Sequence, residues 1–403
     1  MESTTRSSPT NWFVVLLLVG AGVVVAFQIG KAPAALPILR DDLRLSLVTA
    51  GWVISMFNVI GLVTGMAIGV LADRIGHRRM VLTGLAVVAL ASLVGAAAQG
   101  AAALLTSRFL EGLGFVVVVT ATPGLIVRAA APDDLKLAFG AWGAYMPAGT
   151  ATMMALSPLL LAPFGWRGLW VANAVLVALF AILLARTTQA YVAPRRTELS
   201  SSILGDMWRT LTSPGPPVLA LAFASYALQY LVVFGFLPTI LVEEEGLSQA
   251  AAARLTAIAI AANVPGNLMG GMILHRGAPR WAVVVVVSAI MGLLALGIYA
   301  PAFPLWLRYG FAVAFSLLCG MIPSTLLGAA PVHAPSPHLI AATNGLIMQG
   351  SNLGQAVGPP LTAALAAAVG SWHWSPVVLV TAASIGIAFG FVLRALERRA
   401  GGR

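Results

Sequence analysis

Three ionisable side chains, Lys31, Arg108 and Glu111, stand inside otherwise apolar runs of this sequence. A charge is costly in such surroundings, so each is a candidate for solute binding or proton exchange. Lys31 lies about eight residues from one edge of its run and Arg108 about seven from one edge of its own; at 1.5 Å per residue both are roughly 10–12 Å deep. That common depth allows them to face one cavity. Gln28, one turn from Lys31, shares its helical face. For Lys31 the alternative is a long stem that snorkels to the interface. Glu111 is spaced i, i+3 from Arg108, so it is either a counter-ion to the arginine or a carboxyl that exchanges a proton.

Neutral polar residues gather at similar positions in other runs. Tyr226, Gln229 and Tyr230 are spaced i, i+3, i+4 and share a face. Asn263 and Asn267, Gln349, Asn352 and Gln355, Trp142, Tyr145 and Met146, and Asn58 complete the set. Singly, an amide in an apolar helix serves as interhelical glue or as a ligand. Together these residues predict a wet central cavity.

The elements that must carry them follow from composition. Of the 403 residues 59% are hydrophobic and 9% charged, with mean hydropathy +0.93. Soluble domains carry about 25% charged residues, so a soluble enzyme is excluded, as are disordered and collagen-like chains. Cys319 stands alone, and the five histidines lack ligand spacing, so neither a disulfide framework, a metal site nor a cofactor is expected. A spanning helix needs roughly 20 apolar residues. Suitable runs lie near 12–38, 47–71, 80–99, 101–127, 138–163 and 167–186, then 214–242, 249–274, 281–300, 303–329, 339–368 and 375–394. The first is too long for a secretory signal and is read as a spanning helix. The fold class expected is an all-α integral membrane protein with twelve transmembrane helices in two pseudo-symmetric six-helix bundles, 1–187 and 214–403. Between them, 188–213 reads as a cytosolic linker, either solvated or with a short amphipathic helix around Ile203–Leu211.

With the N-terminus inside, 16 of the 23 lysines and arginines fall on inner loops and tails. Both termini are therefore expected in the cytoplasm, in a bacterial cytoplasmic (inner) membrane. The net charge of +10 follows from this topology, with no need for nucleic acid as a partner.

Between spans two and three lies 69-GVLADRIGHRR-79. Gly69, Asp73, Arg74, Gly76, Arg78 and Arg79 resemble motif A of the major facilitator superfamily, with His77 where that family usually has a basic residue. Gly69 permits close helix approach and Gly76 a tight turn. In the family the motif's acid engages the start of the eleventh helix and a basic residue ending the fourth. The resemblance thus implies a latch that holds an outward-open state, with Arg128 as Asp73's candidate partner and Ser336-Pro337 at the eleventh helix start. The segment 108-RFLEGLG-114 is similar to the family's motif B. Span five lacks the Gly-Pro step of the antiporter motif C, and that step appears in span eleven as 354-GQAVGPP-360. The texture is also similar to transporters of the bacterial cyanate and nitroimidazole group.

The resemblance implies a secondary transporter working by alternating access between its halves, a monomer coupled to protons, with Glu111 as the coupling candidate. Lys31 and Arg108 against Glu111 leave one net positive charge, which favours a small organic anion as substrate. The alternative is proton-driven efflux of drugs or metabolites. A membrane enzyme would need a catalytic constellation, and no paired-Asp motif, histidine cluster or Ser/His/Asp grouping is read in the sequence. Nucleotide-driven transport would need a phosphate loop, and none occurs.

Overall fold

The computed structural model describes residues 9–189 and 203–401, and among these every regular element is helical. In the first half these are α1 (Trp12–Asp42), α2 (Leu47–Ile75), α3 (His77–Ala96), α4 (Ala101–Ala129), α5 (Leu135–Gly143) and α6 (Tyr145–Thr187). A short α7 (Ile203–Thr212) leads to the second half. There follow α8 (Gly215–Glu243), α9 (Gln249–Ala261), α10 (Asn263–His275), α11 (Arg280–Tyr299), α12 (Leu305–Cys319), α13 (Met321–Leu327), α14 (Ala330–His333), α15 (Ile340–Val369) and α16 (Ser375–Gly401).

Ten of the described segments are long and apolar enough to cross a membrane. One of them, Pro132–Thr187, folds back at Gly165 (φ 62°, ψ −172°) and so supplies spans five and six. The 30-residue α15, with its amides and glycines, is span eleven. The count of twelve expected from the sequence follows. Large apolar side chains stay exposed along the flanks, such as Leu90, Leu159, Leu179, Leu293 and Ile385, where acyl chains would cover them.

Spans five, eight and ten differ from the uninterrupted runs read in the sequence, and proline is the reason. A proline ring clashes with the carbonyl four residues back and supplies no N–H to it. The helices end at Gly143, Ala261, Cys319 and Leu327, each four residues before a proline: Pro147, Pro265, Pro323 and Pro331. The prolines within α1, α4, α8 and α15 are accommodated without a break.

Within the first half α1 packs on α6, and α4 on α2 and α3; within the second α8 packs on α15 and α16, and α10 on α12 and α13. The halves meet along α2 and α15, and at the end that carries Arg40 and Glu243, the end expected to be outer from the distribution of lysine and arginine. There Arg40 on α1 pairs with Glu243 on α8, and the Gln249 amide on α9 donates to the Ala34 carbonyl. The outer segment of span eight, α9, packs on α6, while its inner segment α10 packs on its own half. The outer ends are joined across the halves.

Close approach along α15 depends on glycine. A Cβ on Gly354 would lie 2.0 Å from the Ala224 carbonyl oxygen of α8, a distance no side chain tolerates. On its other flank α15 sets Pro359 and Pro360 against Gly51 of α2. Span eleven therefore binds both halves, as its glycine spacing suggests.

Candidate functional site

The three ionisable residues converge. Lys31 on α1 and Glu111 on α4 pair at 2.6 Å (Nζ to Oε1), and Arg108 pairs with the other carboxylate oxygen at 2.6 Å. All three are at most 1% exposed. Lys31 also donates to Ser92 Oγ on α3 at 2.8 Å, and its ammonium lies 4.5 Å from the centroid of the Trp170 ring on α6. Arg108 donates to the carbonyls of Gln28 (2.9 Å) and Val53 (3.1 Å), with its guanidinium over the Phe57 ring. Ser92 Oγ lies 2.7 Å from Glu111 Oε1 and 3.2 Å from Gln28 Oε1, and its single hydroxyl proton serves one of them at a time.

The cluster thus occupies the interior of the first half, where α1, α2, α3, α4 and α6 enclose it. Neither cation snorkels to an interface. Each is held by the carboxylate, by carbonyls or a hydroxyl, and by an aromatic face, the kinds of partner that a buried charge requires. Lys31, Arg108 and Glu111 sum to one positive charge. Ser92 and Trp170 were not singled out in the sequence. Ser92 is a small hydroxyl in an apolar run and Trp170 one aromatic among many, so nothing in their spacing marks them.

The other candidates fall into two groups. In the first half Trp142 stacks on Tyr145 with centroids 4.5 Å apart, Tyr145 reaches Phe115 at 6.4 Å, and Phe115 reaches Phe57 at 5.0 Å. An aromatic row thereby links span five to the ring beneath Arg108. In the second half Tyr226 stacks on Phe223 at 5.4 Å and approaches Tyr230 at 6.1 Å, which continues to Phe234 and Phe315. Gln229 is buried and donates to the Ser225 carbonyl. Asn263 bridges spans eight and ten, donating to the Ser316 carbonyl at 3.1 Å and lying 3.4 Å from Cys319 Sγ. Asn352 on α15 is partly exposed, donates to the Met348 carbonyl and faces Gly61 of α2 across the seam between the halves.

Of the loop between spans two and three, the backbone is helical to Ile75 and turns at Gly76, whose φ of 99° only glycine adopts readily. Arg78 donates to the Ala185 carbonyl at 2.6 Å and to Thr188 Oγ1 at 3.1 Å, tying the loop to the end of span six. Arg79 and Arg128 are exposed. The side chains of Asp73 and Arg74, and the surroundings of Gly69, lie outside what the structure describes. At the start of span eleven, Ser336 precedes a single 3₁₀ turn, Pro337–Leu339, before α15 begins. Among the described residues no group of His, Cys, Asp and Glu is arranged to hold a metal ion.

Twelve spans in two halves, with their outer ends joined and polar residues inside, define a polytopic membrane carrier. The chain matches the Major Facilitator Superfamily over residues 17–348, and it belongs to that family. The members of that family are membrane carriers and not enzymes. Among curated proteins the chain is 31% identical over 193 residues to the tetracenomycin C resistance and export protein of Streptomyces glaucescens, covering 47% of this chain and 36% of that one. It is 29% identical over 182 residues to the multidrug efflux pump LfrA of Mycolicibacterium smegmatis, covering 45% of this chain and 36% of that one. The matched stretches thus span little more than a third of these relatives. Among solved structures, a bacterial homolog of the human lysosomal transporter Spinster, in an inward-facing and occupied conformation, superposes with a TM-score of 0.82. The match covers 96% of this chain and 98% of that one at 18% identity, a likeness of fold.

Proposed function

We propose that the protein is a secondary active transporter exporting small organic molecules with an aromatic or apolar body. The observation that carries this reading is the closed ion cluster. An anion carrier needs a cation with a free N–H directed at the solute. Here Lys31 and Arg108 are both fully buried and both engaged by Glu111 at 2.6 Å. What remains for a solute is the aromatic rows around Tyr145 and Tyr230 and neutral amides such as Asn352, a lining suited to planar or lipophilic compounds. The printed roles of the relatives, antibiotic export and multidrug efflux, support the same direction. The small organic anion is the second reading, favoured by the cluster's net positive charge.

In this reading the cluster serves coupling. Loss of one proton would take the Lys31, Arg108 and Glu111 set from one positive charge to neutral without any solute contact. Proton exchange there would accompany rocking of the halves, with Arg40–Glu243 closing the outer side and the loop carrying Asp73 latching the inner side in the opposite state. The working unit is a monomer of two bundles, 1–187 and 214–403, joined by the linker 188–213. It sits in the bacterial inner membrane with both termini in the cytoplasm.

The test is ligand-dependent thermal stabilisation of the purified protein, with lipophilic aromatic compounds screened beside small organic anions. Stabilisation by aromatic compounds that persists in Lys31→Gln is the expected result. Stabilisation by an anion alone, abolished in Lys31→Gln while the variant still folds, would transfer the protein to anion transport.

A further inference from the structure

The structure points to α7, the linker helix, as a membrane-surface anchor whose partner is the lipid headgroup layer at the termini side of the bundle. Leu204, Trp208 and Leu211 are 77%, 67% and 48% exposed. Their spacing of i, i+4, i+7 confines them to an arc of about 60° at 100° per residue. The opposite side of the helix is occupied: Thr210 is buried, and α7 packs on α8 and α15. The helix therefore turns its largest apolar side chains away from the protein. Exposure of this degree matches Leu159 and Leu293 on the flanks of the spans, at 70% and 67%.

Position identifies what covers this stripe. Only Ser213 and Pro214 separate α7 from α8. The 29 residues of α8 make a rod of about 43 Å at 1.5 Å per residue. A bilayer with its headgroups is about 40–45 Å thick. With Glu243 at one face, Gly215 stands at the headgroup level of the other, and two further residues add at most about 7 Å. A short helix at that depth, with tryptophan and leucine on one face and Arg209 exposed beside them, has the make-up of an interfacial helix. Anchored in this way, the linker would hold the second half at a fixed depth while the first half moves against it.

Spin labels at single cysteines test this in the full-length protein in nanodiscs of phosphatidylethanolamine and phosphatidylglycerol. The positions are Leu204→Cys, Trp208→Cys, Leu211→Cys and Arg209→Cys, all exposed and outside the spans, so folding is not at stake; the native thiol of Cys319 is buried and stays unlabelled. The expected result is that labels at 204, 208 and 211 collide several-fold more with membrane-dissolved oxygen than with an aqueous nickel chelate, and that the label at 209 shows the reverse. Equal access of the chelate to all four would make α7 a solvated linker and overturn the proposal. Shielding of the three from both reagents would mean a protein surface covers the stripe, and would overturn it equally.

Discussion

The two halves solve the same packing problem with different chemistry. In the first, spans two and four approach so closely that a Cβ on Gly112 would lie 1.9 Å from the Phe57 carbonyl oxygen. In the second, the corresponding spans eight and ten meet where a Cβ on Gly266 would lie 1.8 Å from the Leu317 carbonyl oxygen. Beside the first contact stand Arg108 and Glu111, and both helices run through unbroken. Beside the second stand Asn263, Ser316 and Cys319, and both helices are interrupted, at Ala262 and at Gly320. The Asn263 amide donates to the Ser316 carbonyl, which also accepts from the Gly320 N–H at the interruption. The charged core instead spends side chains on one another. The difference teaches that the first half builds this contact around a buried charge cluster, while the second builds the corresponding contact from neutral groups.

The largest expected effect is at Glu111. Glu111→Gln keeps the shape but leaves Lys31 and Arg108 buried without a counter-charge, and breaking a buried ion pair in this way costs about 3–5 kcal/mol. Thermal unfolding of the purified variant should show a large loss of stability. A variant as stable as the parent would mean that the cluster is hydrated, and the contrast between the halves would fall.

The matching change in the second half is Asn263→Leu. It removes one donor from the Ser316 carbonyl and the partner that Asn267 reaches at 2.8 Å. The Ser316 carbonyl keeps the Gly320 N–H and the Asn267 amide keeps the Asn263 carbonyl, so the loss is of neutral hydrogen bonds, about 0.5–1.5 kcal/mol each, and the destabilisation should be clearly smaller than at Glu111. Equal losses in the two variants would show that charge is not what separates the cores.

How much of this was legible in the sequence depends on the range of the interaction. The spans were, because length and hydropathy are local properties, and Gly165 divides the long helix where the two runs were read apart. The breaks in spans five, eight and ten lie four residues before Pro147, Pro265, Pro323 and Pro331, but Pro33, Pro37, Pro123 and Pro238 leave their helices whole, so proline alone did not mark them. The depth count put Lys31 and Arg108 at one level, and both do reach Glu111. Their partners were not legible: Lys31 and Glu111 are 80 positions apart, and Ser92 and Trp170 join them from two further spans. Which face of a helix turns inward depends on the neighbouring helices, and a depth count carries no such information. The same limit applies to Arg40 and Glu243, 203 positions apart, which read only as basic and acidic loop residues.

That pair joins the two halves being compared, and it carries the smallest expected effect. Arg40 and Glu243 are 24% and 36% exposed, so the bridge is worth about 0.2–1 kcal/mol and is weakened by salt. Arg40→Ala should therefore leave unfolding nearly unchanged. A bias of this size, up to about fivefold in population, should favour opening of the outer end. Ala34, buried beneath the Gln249 contact, is a suitable reporter. A thiol at Ala34→Cys should react faster with a membrane-impermeant maleimide when Arg40 is replaced, and the exchange Arg40→Glu with Glu243→Arg should slow it again. Added salt should reproduce the effect of Arg40→Ala at this thiol and leave the stability deficit of Glu111→Gln untouched, because the buried cluster is beyond the reach of screening ions. Labelling that is indifferent to both Arg40 and salt would remove the bridge from the closure, leaving the Gln249 contact and the packing of α9 on α6 to hold the outer end.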